Sequence, residues 1–184
     1  TGLMRDMVYS QAFGAGTMMD AFLVAYKIPN FLRRLFAEGA FSQSFVPVIS
    51  EFKVRRSQDE VRELVSGVQG TLGVALLIVT ILGVVAAPII ILVFAPGFTQ
   101  QAGKYELAVE MLRWTFPYLF FVSLTALFSG VLNSYERFAV PAFTQVVMNL
   151  TMVGFALGIA THSASPGIVL AIGVFVSGVA QVLF

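Results

Sequence analysis

The sequence has no cysteine, a single histidine and few charges, with only 11% of its 184 residues being Asp, Glu, Lys or Arg. Without thiols no disulfide framework can form, and a zinc site built on cysteine and histidine is excluded because His162 stands alone. A net charge of +1 with no basic tract lacks the electrostatic footprint of a nucleic-acid-binding protein. Soluble domains carry about 25% charged residues, so the polar surface that would keep this chain in water is missing. Apolar residues stand in its place: 58% of the chain is hydrophobic, 18 residues are Phe, and the mean hydropathy is +0.87. The chain is a membrane protein.

Charge spacing says more than composition. No Asp, Glu, Lys or Arg occurs in 64–103, 114–135 or 138–184, and a spanning helix needs about 20 apolar residues. The pattern predicts helices over about 1–13, 17–50, 64–95, 106–133, 141–161 and 167–184. Gly14 and Gly16 mark a tight reversal after the first of them. A continuous helix over 17–50 would reach about 51 Å against a hydrocarbon core of about 30 Å, so it must tilt, break or emerge, with Pro29, Gly39 and Pro47 as the candidate break points. A kink is expected before Pro88 and a loop at Pro96-Gly97. Gly154 and Gly158, like Gly173 and Gly178, are expected to permit close helix contact.

The stretch 51–63 mixes Lys53, Arg55, Arg56 and Arg62 with four acids and reads as a solvated connection. The loops 51–63 and 134–140 lie on one side of the membrane and share those four cations and Arg137, whereas the opposite loops contribute only Lys104. By the positive-inside rule the first side is cytoplasmic. The chain begins at Thr1 inside one apolar pattern and stops at Phe184 inside another, which reads as a piece of a longer protein with its first helix truncated. Arg5 and Asp6 interrupt the apolar start, so it is not a signal peptide.

The unusual residues lie in the first 40. Arg5, Asp6, Asp20, Lys27, Arg33, Arg34 and Glu38 fall in or beside the first two helices, and an ionisable group at membrane depth costs at least about 2.5 kcal/mol unless it meets water or a partner. Rise per residue puts Arg5 about 13 Å below the outer end of the first helix, and Lys27 and Arg33 about 10 and 20 Å below Asp20. They meet near mid-membrane, which implies a polar cavity. On an unbroken helix Asp20, Lys27, Phe31, Arg34 and Glu38 share one face, while Arg33 points elsewhere unless Pro29 rotates the lower half. Four cations with three carboxylates suit a large anion that is held and then released. Arginine presents a planar donor fork to phosphate, and the acids either hold the cations or compete with the ligand. A second reading stays open, in which the helix spans only 18–36, Arg33 and Arg34 anchor at the cytoplasmic surface, and 37–50 is an interfacial amphipathic helix. Asp20 is placed either to pair with Arg5 or Lys27 as a gate, or to serve as an ordinary acidic residue at a helix N-terminus.

The run Arg5-Asp6, Phe13-Gly14-Ala15-Gly16, Asp20-Ala21-Phe22 and Ile28-Pro29-Asn30-Phe31-Leu32-Arg33-Arg34-Leu35-Phe36-Ala37-Glu38-Gly39-Ala40-Phe41-Ser42-Gln43 closely resembles the MurJ (MviN) lipid II flippases of the MOP exporter superfamily. Ala95-Pro96-Gly97-Phe98, Thr115-Phe116-Pro117-Tyr118 and the segment from Leu132-Asn133 through Arg137-Phe138 to Pro141-Ala142-Phe143 look like later landmarks of that family. The resemblance implies an all-α polytopic membrane protein, similar to the six-helix N-terminal lobe of a two-lobed transporter that alternates between inward-open and outward-open states. It implies cavity roles for Arg5 and Arg33 and an acidic position at Asp20. Lys27, Asn30 and Arg34 join them as candidate headgroup contacts, with Asp6, Asp20 and Glu38 as candidate gating or charge-pairing groups. The implied partners are lipid II, the surrounding membrane lipids and a C-terminal lobe of the same chain. The implied location is the bacterial inner membrane. No cofactor or metal is expected, and no feature of these residues selects a coupling ion. The competing classes are another MOP-type exporter of drugs or polysaccharide lipids, a membrane enzyme acting on polyprenyl pyrophosphates, and a non-transporting scaffold.

Overall fold

In the computed structural model, which describes residues 2–14, 16–34 and 42–184, the described chain is helical throughout and contains no strand. In chain order the helices are α1 (Gly2–Phe13), α2 (Thr17–Arg33), α3 (Ser42–Arg55), α4 (Gln58–Val85), α5 (Ala87–Phe94), α6 (Lys104–Thr115), α7 (Tyr118–Ser134), α8 (Ala139–Gly158) and α9 (Pro166–Leu183). Single 3₁₀ turns at Pro96–Gln100 and Ala160–His162 join α5 to α6 and follow α8. The stretches Gln58–Val85, Lys104–Ser134, Ala139–His162 and Pro166–Leu183 are each long and apolar enough to cross a membrane.

The apolar residues lie outside as well as inside. Phe22, Met111, Leu112, Phe116, Tyr118, Leu119, Met152 and Leu170 fill the core, while Val74, Leu77, Ile81, Leu82, Val85 and Ile89 are exposed along α4 and α5. In water such a surface would drive association; in a bilayer it meets lipid tails. The centre of the bundle is α9, which packs on α8, α7, α6 and α2. Its small residues make that approach possible: a Cβ at Gly173 would press on Phe155 of α8, and one at Gly178 on Tyr118 and Phe121 of α7. Gly154 and Gly158 behave differently from the expectation, since a side chain on either would meet open space. They lie on a face of α8 that no described helix covers.

Gly14 has φ +62°, the left-handed conformation that the reversal after α1 requires. The expected kink before Pro88 falls at Ala86, between α4 and α5. In the stretch 51–63 the residues whose side chains are described are exposed apart from the half-buried Phe52 and the buried Val61, as a solvated connection should be, but the stretch is mostly helical. Only residues 56 and 57 separate α3 from α4. Ser57 and Glu60 form a reciprocal capping box there, the Glu60 amide donating to the Ser57 hydroxyl at 3.3 Å and the Ser57 amide to the Glu60 carboxylate at 2.9 Å.

The expected breaks at Pro29 and Pro47 are not helix ends, because both prolines lie inside α2 and α3; Gly39 falls outside the described residues. For Pro29 the reason is visible. A proline removes the amide that would bond the carbonyl four residues earlier, here that of Ala25. The Thr115 hydroxyl of α6 donates to that carbonyl at 2.8 Å, and Ala25 and Thr115 are both fully buried. A neighbouring helix thus supplies the missing donor, and α2 continues to Arg33. Thr115→Val is expected to lower unfolding stability in detergent by about 1–3 kcal/mol, the cost of orphaning a buried carbonyl, while Thr115→Ser retains most of it. Equal melting temperatures for the valine and serine variants would show that this hydrogen bond does not matter.

Candidate functional site

Along α1 the residues turned toward the protein are Gly2, Arg5, Val8, Tyr9 and Phe13, so Arg5 occupies the packing stripe of its helix. Its side chain is only 16% exposed. The guanidinium donates through Nε and Nη2 to the Asp6 carboxylate at 3.0 and 2.8 Å, and through Nη1 to the Tyr26 hydroxyl of α2 at 3.3 Å. It also lies 5.6 Å from the centre of the Tyr26 ring, within cation–π range. Tyr26 stacks on the buried Phe22, which meets Tyr9 edge to face. The Tyr9 hydroxyl is buried without a hydrogen-bond partner, within electrostatic reach of Arg5 and Tyr26.

On α2 the exposed stripe is Asp20, Leu23, Lys27, Phe31 and Arg34, the helical face expected from their spacing. Arg33 starts from a neighbouring, half-buried stripe of α2. Its Nε donates to the Asn30 side-chain oxygen at 3.0 Å, which draws the guanidinium onto the same side. Lys27, Asn30, Phe31, Arg33 and Arg34 therefore line one cleft of about 320 Å³. Polar links run from Asp6 through Arg5 of α1 to Tyr26 of α2, and one turn further along α2 from Asn30 to Arg33. A larger cleft of about 740 Å³ between α3 and α4 holds Phe52, Arg56, Glu60 and Leu72, but its arginine is already paired with Glu60 at 3.2 Å.

Asp20 stands in the first turn of α2, as the second of its two expected roles has it. Its carboxylate bonds the Lys104 ammonium at 2.9 Å, and neither Arg5 nor Lys27 is its partner. The two residues begin their helices at the same end of the molecule, Asp20 in the first turn of α2 and Lys104 as the first residue of α6. Lys104 is only 5% exposed, and its ammonium sits 4.4 Å from the centre of the Phe98 ring. A cation at a helix N-terminus opposes the macrodipole, so the position needs compensation, and Asp20 and Phe98 supply it. That mismatch was the available sequence signal for Lys104. Glu38 lies outside the described residues.

The sequence reading missed Tyr26 as well as Lys104. Tyr26, Asn30 and Arg33 are spaced four and three apart and share a helical stripe, so their alignment was present as a pattern. Tyr118 and Gln181 also escaped notice: Tyr118 is buried at the start of α7, where its hydroxyl donates to the Met148 sulfur at 3.4 Å, and Gln181 is buried on α9.

A family model described as Lipid II flippase MurJ matches residues 9–184. The whole chain is 45% identical to the probable lipid II flippase MurJ of Haemophilus influenzae, covering 37% of that protein. It is 44% identical to the lipid II flippase MurJ of Burkholderia cenocepacia, covering 36% of it. A solved structure of lipid II flippase MurJ in an inward closed conformation superimposes with a TM-score of 0.80 at 30% identity, over 99% of this chain and 38% of that one. The chain thus spans a little over a third of the length of these relatives, and over that length both sequence and fold agree. The chain belongs to the MurJ family of lipid II flippases.

Proposed function

We propose that this chain forms the anion-binding part of a lipid II flippase. In this reading the complete protein moves an undecaprenyl pyrophosphate carrying the peptidoglycan disaccharide-pentapeptide from the cytoplasmic to the periplasmic leaflet of a bacterial inner membrane. The observation that carries the proposal is the cleft lined by Lys27, Asn30, Arg33 and Arg34, joined through Tyr26 to Arg5 inside an otherwise apolar bundle. Such a cluster is expensive in a membrane unless an anion or water fills it. Arginine forks fit the two phosphoryl groups of the headgroup, and the exposed hydrophobic faces leave the polyprenyl tail in lipid while the headgroup crosses through the protein. A second lobe, supplied by the rest of the protein, would close the other side of the cavity and allow alternating access.

The reading as a polyprenyl-pyrophosphate enzyme has Asp20, Glu38 and the arginines hold a metal and phosphate, and Glu38 lies outside the described residues. Asp20 engages Lys104 instead, and Asp6 is taken up by Arg5. A transporter accounts for these pairs better, because acids that neutralise cations between ligand-bound states are what release requires.

The test is reconstitution in liposomes with fluorescent lipid II and a quencher that reaches one leaflet. The full-length protein is expected to exchange label between leaflets, whereas the 184-residue piece, which lacks a second lobe, transfers none above empty liposomes. Robust transfer by the isolated piece would refute the two-lobe mechanism.

A further inference from the structure

Arg5 and Arg33 come from different helices, and each side chain is long enough to wander. One phosphoryl group can be satisfied by a single arginine fork. A diphosphate presents two, and gains from both arginines only if they are held toward the same place. The structure contains a device that does this. The Tyr26 hydroxyl accepts from Arg5 at 3.3 Å, its ring lies beneath the Arg5 guanidinium, and one helical turn further along α2 Asn30 orients Arg33 at 3.0 Å.

Asp6 also holds Arg5, but that carboxylate is 62% exposed and sits on the same helix, so it can yield to an incoming anion. Tyr26 cannot yield in that way. Its ring stacks on Phe22 at 6.0 Å with an interplanar angle of 13°, and Phe22 is buried against Tyr9. When ligand displaces Asp6, the tyrosine still fixes the direction of the arginine.

We infer that Tyr26 is a positioning residue that ties Arg5 and Arg33 into one two-pronged site, and that it thereby sets the preference of the cleft for a diphosphate over a monophosphate. The inference rests on the proposed role of the cleft as the headgroup site and adds a specificity determinant to it.

The experiment measures binding of farnesyl diphosphate and farnesyl monophosphate to the detergent-solubilised full-length protein. Tyr26→Phe keeps the aromatic stack and removes only the hydroxyl. It is expected to weaken diphosphate binding about tenfold and monophosphate binding less than about twofold, as loss of one hydrogen bond to a charged group implies. Asn30→Ala, which releases the Arg33 side chain, is expected to reduce the ratio similarly. A general loosening of the fold would lower both affinities together, so an equal loss for the two ligands would overturn the inference. It would also fall if Tyr26→Phe kept the wild-type ratio while Arg5→Ala and Arg33→Ala lost diphosphate binding; the headgroup site would then stand without it. Wild-type diphosphate binding in both alanine variants would remove the headgroup site and the inference together.

Discussion

Arg33→Ala in the full-length protein is expected to reduce lipid II flipping to the level of empty liposomes, with membrane insertion and yield near normal. Arg5→Ala should do the same. A charge-assisted fork on a phosphoryl group in a water-poor cavity is worth about 3 kcal/mol or more, so losing either arginine costs a factor above about a hundred. The fold has little reason to suffer. Arg33 lines a cleft rather than filling the core, and removing Arg5 leaves Asp6 with an exposed carboxylate that water can solvate. Arg33→Lys should be intermediate, because a lysine keeps the charge but loses the planar fork and the Nε donor that Asn30 receives. Leaflet-specific quenching of labelled lipid II gives the rates, and quantitative blotting of membranes gives the insertion. Normal flipping by the Arg5→Ala, Arg33→Ala double variant would eliminate the anion site.

The second large effect is expected at the opposite end of α2. Asp20→Asn keeps the size of the side chain but leaves the Lys104 ammonium, only 5% exposed, without its anion. Unfolding stability should fall by about 1–3 kcal/mol, a range typical of lost hydrogen bonds between charged groups, since Asp20 is itself half-exposed. Flipping should fall at least about tenfold if the pair latches α2 to α6 in one state and opens in the other, which corresponds to about 1.4 kcal/mol of altered balance. Combining Asp20→Asn with Lys104→Met removes both charges. The double variant should recover stability, because no buried charge is left unpaired, yet remain slow in transport. Recovery of both properties would make the pair a fixed strut and not a gate. This test also separates the latch from ordinary helix-terminal electrostatics, in which neutralising Asp20 would hardly change either measurement.

How much of this was legible in the sequence depended on the range of the interaction. Charge-free runs act locally, so the long apolar helices and the exposed face of Asp20, Lys27, Phe31 and Arg34 followed from spacing alone. The break before Pro88 was equally local. Pro29 was misread because the helix is rescued from another helix: the Thr115 hydroxyl that satisfies Ala25 is 90 residues away. Lys104 was discounted as a loop cation, since its partner Asp20 is 84 residues distant. Arg33 lies off the exposed face of α2, on the stripe of Tyr26 and Asn30 as the helical wheel has it, and what the wheel does not show is the Asn30 hydrogen bond that brings its guanidinium to the same cleft. Tyr26 carries no charge and so gives no sign of its role in the sequence; its ring packs, and only its hydroxyl, which accepts from Arg5, distinguishes it. Gly154 and Gly158 carry the same small-residue spacing as the packed glycines of α9, yet no described helix meets them. Spacing alone does not say which face of a helix has a neighbour.

The central claim is that Arg5 and Arg33 together hold the diphosphate of a polyprenyl-linked substrate inside the protein. The most direct measurement is a cryo-electron microscopy structure of the full-length protein in lipid nanodiscs with lipid II bound. Diphosphate density is expected within hydrogen-bonding distance of both guanidinium groups, bordered by Asn30 and Tyr26, with Asp6 displaced from Arg5. Diphosphate density elsewhere, with Arg33 and Arg34 pointing into the cytoplasmic headgroup layer, would contradict it.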